Sequence, residues 1–329
     1  MKSVSHNWIV LLIVLLIMQI SANFADYRLV YQDDHFLMEG LFQVIETDLD
    51  QDGASEFVMA GKNYTAHELF LAWFTLGPDH KPVLRWQSPN LFEDRSVIWV
   101  AAGKFTGSEN QLLAVTETQY YLFQWQNGQM ELMRKGTHQL KPLNITGGDL
   151  DGDGHTELVV AKIGRITAKQ YDGVLQVWKL KENGWELVSQ SDQTVGNIRS
   201  LTAGDLNGDG KAEIVMEEGV RTSPGTLHLF ALAENKITER SRLNKPVKGV
   251  IYGLTVTSLS GAPRLITATD SGRVNTFAWD SNRNALVAVE KEKRFRWNLI
   301  DLAVGAAGSG ADAKLLLIAY PQRLLILSE

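Results

Sequence analysis

The chain has 329 residues, and 44% of them are hydrophobic, which is enough to bury a substantial core. Its formal net charge of −6 gives no basic field for a phosphate backbone, so nucleic acid is a poor candidate partner. The chain contains no cysteine, which excludes disulfides, thiolate metal sites and cysteine nucleophiles. Any metal ion must therefore be held by oxygen or imidazole ligands.

The first 25 residues have the pattern of an export signal. Lys2 precedes an apolar run from Trp8 to Ile20, and small or polar residues follow the run. This pattern predicts a signal peptide over residues 1–25 and one domain over residues 26–329. The run of 13 residues is shorter than the roughly 20 that cross a bilayer core as a helix, and an uncleaved membrane anchor is the alternative. Either outcome predicts an exported protein, secreted or held in the cell envelope.

Three segments repeat one acidic pattern, and each is followed at once by an apolar stretch. Acids or an amide stand at positions one, three and five, Gly stands at position six and Glu at position nine. The three copies are Asp48-Leu-Asp-Gln-Asp-Gly-Ala-Ser-Glu56, Asp149-Leu-Asp-Gly-Asp-Gly-His-Thr-Glu157 and Asp205-Leu-Asn-Gly-Asp-Gly-Lys-Ala-Glu213. The repeat unit is therefore predicted to be a strand, an acidic turn and a second strand.

Three weaker copies keep the flanking apolar pattern but have lost the acidic turn. Across all six copies the first turn position falls at residues 48, 104, 149, 205, 258 and 306. The spacing is about fifty residues, which is the length of a β-propeller blade. No helical periodicity of useful length follows the N-terminal segment, so the sequence predicts an all-β fold.

The two ends of the chain predict how the propeller closes. The last unit supplies three strands, Leu299–Val304, Leu315–Ala319 and Leu324–Leu327, and lacks a fourth. Near the N-terminus, Tyr27-Arg-Leu-Val-Tyr-Gln matches the fourth-strand segment Trp185-Glu-Leu-Val-Ser-Gln. A strand from the N-terminus can therefore complete the last blade and leave no open edge at the seam. Six blades are expected, since a seventh would need about fifty more residues.

The acidic turns have the composition of a cation site with oxygen ligands. Carboxylates at alternate positions of one turn repel each other unless a cation neutralises them, and hard divalent cations prefer such oxygen clusters. Gly at position six permits a sharp bend, and Glu at position nine adds a further carboxylate. Position twelve, where an EF-hand has its closing Glu, holds Met59, Val160 and Met216. The turns are therefore not EF-hands.

The pattern resembles the FG-GAP or VCBS repeats found in the propeller of integrin α subunits and in many exported bacterial proteins. The resemblance implies that each acidic turn joins two adjacent blade strands and binds Ca²⁺. Carried over position by position, it implies the ligands Asp48, Asp50, Asp52 and Glu56 in the first copy, Asp149, Asp151, Asp153 and Glu157 in the third, and Asp205, Asn207, Asp209 and Glu213 in the fourth. The copies that begin at Lys104, Ser258 and Ala306 lack the carboxylates, so no ion is expected there.

The alternative is that Asp, Asn and Gly occur in these turns only because they are good turn formers. That explanation accounts for one such turn. It does not account for an acid at position nine in three separate copies, which favours a structural Ca²⁺ ion that ties two strands together.

The tryptophans divide into two groups. Trp125 and Trp178 are assigned to matching positions of the third strand, with Phe230 in the equivalent place of the next copy. Repetition at one blade position favours packing between neighbouring blades over ligand binding. Trp86, Trp99 and Trp297 fall outside that register and are the better surface candidates.

Sequence signatures of enzymes are missing, including His-Glu-x-x-His and Gly-x-Ser-x-Gly, and the seven His residues form no spaced cluster. The chain is therefore predicted to be a non-catalytic binding or adhesion module that holds a protein or glycan ligand on one propeller face. One alternative is a carbohydrate-active propeller such as a polysaccharide lyase, which would need acids, His or Arg converging on the central channel. Another is a purely structural envelope protein.

Overall fold

The computed structural model of the chain describes residues 28–34, 40–94, 96–167, 170–191, 197–219, 224–259, 261–290, 292–306, 313–320 and 323–328. Within these ranges the regular structure is β-strand, arranged as six sheets of four or five strands. The signal peptide predicted over residues 1–25 lies outside the described residues. In the described ranges no helix is long and apolar enough to cross a membrane.

Each sheet is one blade, and its strands run from the channel to the rim largely in chain order. Strand β1 (Arg28–Asp33) belongs to the last blade. Blade 1 contains β2 (Gly40–Thr47), β3 (Glu56–Asn63), β4 (Glu68–Leu76) and β5 (Pro82–Gln87). Blade 2 contains β6 (Trp99–Gly103), β7 (Gln111–Val115), β8 (Gln119–Gln126) and β9 (Gln129–Thr137). Blade 3 contains β10 (Pro142–Gly148), β11 (Glu157–Thr167), β12 (Gln170–Lys181) and β13 (Gly184–Gln190).

Blades 4 to 6 repeat this plan. Blade 4 contains β14 (Ile198–Gly204), β15 (Glu213–Glu218), β16 (Thr226–Ala233) and β17 (Lys236–Asn244). Blade 5 contains β18 (Ile251–Leu259), β19 (Ala262–Thr269), β20 (Arg273–Asp280) and β21 (Ala285–Ala288), and the short β22 (Lys293–Arg294) also pairs with β20. Blade 6 contains β23 (Leu299–Ala306), β24 (Ala313–Ala319) and β25 (Arg323–Ser328), and β1 is its fourth strand. The predicted six-bladed propeller is confirmed.

One strand pair joins the two ends of the chain. β1 runs antiparallel to β25, with Leu29 opposite Leu327 and Asp33 opposite Leu324. The first strands of the blades contact one another in a ring, from β2 through β6, β10, β14, β18 and β23 and back to β2. The predicted closure of the last blade by the N-terminal strand is therefore confirmed, and it covers the edge of β25.

The second strand of each blade is buried on both faces, which explains the continuous apolar runs after the turns. In β3, Val58 and Ala60 pack against blade 2, while Phe57 and Met59 pack against blade 6. Side chains alternate along a strand, so one apolar run serves two blade interfaces. The described part of the chain accordingly contains six hydrophobic clusters, one at each interface.

Side chains on the channel wall bond one blade to the next. Asp301 of β23 accepts hydrogen bonds from Val44 N in blade 1, at 2.7 Å, and from Leu302 N, at 2.9 Å. Gln43 Oε1 accepts a hydrogen bond from Val100 N in blade 2, at 2.8 Å. Burial raises the pKa of Asp301 to about 7, although the two N–H donors oppose this shift. Asp301 therefore joins blade 6, the blade that β1 completes, to blade 1.

Deleting residues 1–34 should destabilise the propeller, because the edge of β25 loses its pairing partner. We expect a lower melting temperature and aggregation, measured by thermal unfolding and size-exclusion chromatography. A chain that begins at residue 26 retains β1 and is the matched control. Equal melting temperatures for the two chains would contradict the role of β1.

The stability of the folded chain should also depend on the titration of Asp301. Its pKa is higher when folded than the ordinary value near 4, so its contribution to the free energy of unfolding is complete below about pH 4 and is lost as the pH rises to about 7. Asp301→Asn removes this titration. Between pH 4 and 7 the free energy of unfolding, measured with urea, should fall less steeply for the variant than for the wild type. Equal slopes for the two proteins would contradict the raised pKa of Asp301.

Candidate functional site

The first acidic turn brings four carboxylates together between β2 and β3. One oxygen from each of Asp48, Asp50, Asp52 and Glu56 lies within 4.8 Å of the others. Backbone N–H groups hold the side chains in place: Gly53 N donates to Asp48 Oδ2 at 3.1 Å, and Leu49 N donates to Glu56 Oε2 at 2.8 Å. The predicted convergence of these four side chains is therefore present in the first turn.

The electrostatics of the first turn favour a bound cation. Burial raises the pKa of Glu56 to about 8, helped by the charges of Asp50, Asp48 and Asp52 and opposed by the hydrogen bond from Leu49 N. Asp48 Oδ1 is buried and accepts no hydrogen bond. Arg85 approaches from outside, with its Nη2 at 3.8 Å from Asp50 Oδ2. The donor set of hard oxygens, with one buried oxygen left over, fits Ca²⁺.

The acid at position nine has a structural task in all three acidic turns. Its Oε2 accepts the N–H of position two, at 2.8 Å from Leu49 and Leu150 and at 2.9 Å from Leu206. Gln111 has a similar role in blade 2, where its Oε1 accepts a hydrogen bond from Thr106 N at 3.0 Å. The repeated Glu therefore stabilises the turn with or without an ion, which is a reason for its recurrence that the sequence pattern did not reveal.

The third turn has the same backbone bonds but holds a lysine at its centre. Lys179 Nζ donates to Asp151 Oδ2 at 2.8 Å and to Asp153 Oδ2 at 2.7 Å, and lies 3.1 Å from Glu157 Oε1. Burial opposes the charge on Lys179, but its bonds to these three carboxylates raise its pKa above the usual value. The ammonium of Lys179 is therefore charged at neutral pH.

The fourth turn has an amide at its centre. Asn207 Oδ1 accepts Asp209 N at 2.8 Å, and its Nδ2 donates to the carboxylates of Asp209 and Glu213. Burial raises the pKa of Glu213 to about 7, with Asp209 and Asp205 adding to the shift and the Leu206 N–H opposing it. A cation would need this amide to turn its oxygen inward, so the fourth turn fits Ca²⁺ less readily than the first.

The remaining turns differ from the acidic ones. Blade 5 has a tight hairpin in which Leu259 pairs with Ala262. In blade 6, residues 307–312 lie outside the described residues. Blade 2 begins its turn after Gly103, which has a φ of 151°, and a Cβ at that position would lie 2.2 Å from Thr156 Oγ1 of blade 3.

The turns of blades 1 to 4 are hydrogen-bonded to one another in succession. In each case a group just before the second strand donates to the carbonyl at position one of the preceding turn. The bonds are Asn110 Nδ2 to Asp48 O at 2.6 Å, Thr156 N to Lys104 O at 3.0 Å, and Ala212 N to Asp149 O at 2.7 Å. Ordering one turn therefore restrains the next blade. We call this side of the propeller the turn face.

The opposite side, where the first strands begin, carries the mouth of the channel. A cavity of about 380 Å³ is lined by the first strands of the blades. Phe42, Arg199, Tyr252 and Ile300 occupy one equivalent position in their blades, at a break in the register between the first and second strands. Such bulges re-aim a side chain, and all four side chains line the cavity together with Trp99. The sequence pattern did not identify this set.

Exposed aromatic side chains surround that mouth on blades 5, 6 and 1. Tyr252 is 41% exposed, while Tyr64 and Tyr320, in loops between second and third strands, are 53% and 67% exposed. Trp297, which the sequence predicted to be a surface residue, is half-buried against the apolar cluster between blades 5 and 6. Its ring centroid lies 4.5 Å from the guanidinium of Arg296 and 5.8 Å from that of Arg323. We call this side, which carries the starts of the first strands and the loops between second and third strands, the linker face.

The tryptophan assignments are partly corrected. Trp178 lies opposite Leu158 and Phe230 opposite Ile214, so these two residues are equivalent. Phe123 takes that position in blade 2, opposite Leu112, and Trp125 lies two residues further along β8. Trp125 nevertheless packs between blades, with its ring 4.8 Å from that of Trp73. Trp86 packs against Phe123 and is not a free surface group.

Comparisons with known proteins agree with this architecture. A family model for the FG-GAP-like repeat matches residues 149–216, which include the acidic turns of blades 3 and 4. The comparison with curated proteins found no match. Among solved structures 620 chains match, so the fold is widely shared and names no function by itself.

One similar structure is a chain in the crystal structure of BBS1N in complex with ARL6DN, soaked with mercury. It is 14% identical to this chain with a TM-score of 0.54, and the match covers 92% of this chain and 96% of that one. A likeness at this identity shows the fold alone. Residues 149–216 thus carry an FG-GAP-like repeat within a chain that folds as a six-bladed β-propeller.

Proposed function

We propose that this chain is an exported, calcium-binding β-propeller that acts as a non-catalytic binding or adhesion module at the cell surface or in the envelope. The FG-GAP-like propeller fold supports a binding or interaction module in general. The observation that carries the proposal is the channel mouth on the linker face, with its aromatic lining. Export rests on the apolar segment from Trp8 to Ile20.

Calcium is proposed for the first turn, where Asp48, Asp50, Asp52 and Glu56 would hold it. No ammonium or amide nitrogen stands between these carboxylates, and the buried Asp48 Oδ1 has no other partner. A secondary site is proposed in the fourth turn, with Asp205, Asn207, Asp209 and Glu213. The bound ion would tie the first and second strands of a blade together and, through the bonds between turns, restrain the neighbouring blade.

The linker face is proposed to hold the protein or glycan ligand. Tyr, Trp and Arg are the residues that most often dominate binding energy at interfaces, and Tyr252, Tyr320 and Trp297 lie on adjacent blades of this face. Tyr320 N donates to Asn298 O at 2.8 Å, so the backbone of Tyr320 is held next to the segment that carries Trp297 before any ligand arrives. A fixed aromatic surface loses little conformational entropy on binding.

The ionisable groups of the channel favour binding over proton transfer. Glu46, Arg199 and Asp301 line the cavity, and each already has a partner. Arg199 Nε donates to Glu217 Oε2 at 2.6 Å, Ser55 Oγ donates to Glu46, and Asp301 accepts two backbone N–H groups. A polysaccharide lyase would need such groups free to meet the substrate.

Calcium should raise the melting temperature of the purified protein, and a chelator should lower it. With a Kd of roughly 10⁻⁴ to 10⁻³ M, free calcium at ten times Kd stabilises a protein by about 1.4 kcal/mol. Asp50→Asn should weaken this response, because it removes one of the converging charges. Asp79→Asn, at an exposed site outside the turns, is the control and should respond like the wild type. A melting temperature that changes with neither calcium nor chelator would refute calcium binding.

The double change Tyr252→Ala and Tyr320→Ala should reduce ligand binding at least tenfold without lowering the melting temperature. Glycan arrays and pull-downs with calcium-loaded protein provide the measurement. Leu187→Ala, at a site 45% exposed on β13 of blade 3, is the matched control. Equal binding by the double variant and the control would place the ligand elsewhere, and product release from a uronic-acid polymer would favour the enzyme instead.

A further inference from the structure

Lys179 reaches the third acidic turn from the third strand of its blade. It follows Trp178, which lies opposite Leu158 in the sheet, so its side chain starts beside Glu157. The side chain is 17% exposed, and the carboxylate of Glu157 is fully buried beneath it. Strand pairing therefore delivers this ammonium to the turn.

The ammonium uses the oxygens that a metal ion would use. Asp153 N donates to Asp151 Oδ1, His155 N to Asp153 Oδ1, and Leu150 N to Glu157 Oε2. The second oxygen of each carboxylate faces Lys179, at 2.7 to 3.1 Å. The ammonium donates hydrogen bonds to Asp151 and Asp153, while Glu157 Oε1, which accepts no hydrogen bond, lies 3.1 Å from Nζ as an ion-pair partner.

The other acidic turns lack this cation. In blade 1 the residue after Phe74, which lies opposite Phe57, is Thr75. In blade 4 the residue after Phe230, which lies opposite Ile214, is Ala231. Cavities lie beside both turns, of about 150 Å³ at the first and about 300 Å³ at the third, and Lys179 itself lines the one at the third turn.

We propose that Lys179 of the chain itself is the cation of the third acidic turn, and that this turn does not take up a calcium ion. A calcium ion entering this turn would have to expel an ammonium that is tethered at high effective concentration, and the two cations would then repel each other at short distance. The third turn is therefore ordered at any calcium concentration, and it accepts the Ala212 N–H of blade 4 in that state. The contacts of Lys179 lie within blade 3 and do not depend on whether the other turns bind calcium.

The test exchanges Lys179 of blade 3 and its counterpart in blade 1, Thr75. Lys179→Thr gives the third turn the residue of blade 1, and Thr75→Lys gives the first turn the residue of blade 3. Bound calcium per chain is counted by isothermal titration calorimetry and by native mass spectrometry. We expect Lys179→Thr to gain one ion per chain and Thr75→Lys to lose one. An unchanged count in Lys179→Thr would overturn the proposal.

Melting temperature provides a second measurement that does not depend on the count. Without calcium, Lys179→Thr should melt several degrees below the wild type, and calcium should restore much of the difference. In the wild-type background, Asp151→Asn with Asp153→Asn should leave the calcium count unchanged, and a lower count would overturn the proposal even if Lys179→Thr fails to fold. If the wild type binds no calcium but Lys179→Thr binds one ion, the role of Lys179 stands and the calcium proposal for the other turns fails.

Discussion

The second strand of every blade is apolar on both faces, and this requirement for two neighbours governs the architecture. A side chain such as Val58 faces one adjacent blade while Phe57 faces the other, so removing either neighbour exposes half of the strand to water. Only a closed ring gives each of the six blades a neighbour on both faces, and β1 completes the ring by pairing with β25. Once closed, the ring fixes which loops share the turn face and which share the linker face.

The turn face shows that one sequence pattern supports three different solutions to the same electrostatic problem. Converging carboxylates need positive charge or hydrogen-bond donors. The third turn receives the ammonium of Lys179, the fourth receives the amide of Asn207, and Arg85 approaches the first from outside. One buried oxygen, from Asp48 in the first turn and from Glu157 in the third, accepts no hydrogen bond. The acid at position nine, which accepts a backbone N–H in each turn, is common to all three. Its recurrence therefore reflects turn stability as well as any ion.

The two faces differ in how their loops are joined. On the turn face, hydrogen bonds link the turns of blades 1 to 4 in succession. The linker face instead presents exposed aromatic side chains near one end of the channel, from strand β18 at Tyr252 and from loops at Tyr64 and Tyr320. A rigid scaffold that carries variable loops is a common arrangement for binding proteins.

The sequence alone determined the all-β class, the six blades, the closure and the convergence of carboxylates in the first and third turns, because alternation and turn chemistry act over a few neighbouring residues. Tertiary structure decided what meets each turn and what lines the channel. Lys179 lies 26 residues from Asp153 and reaches it only through strand pairing. Phe42 and Tyr252 share a position only because register breaks re-aim them, and Trp125 lost its assigned equivalence to Trp178 because pairing placed Phe123 there. Register is set by contacts between strands distant in sequence, and no local pattern encodes it.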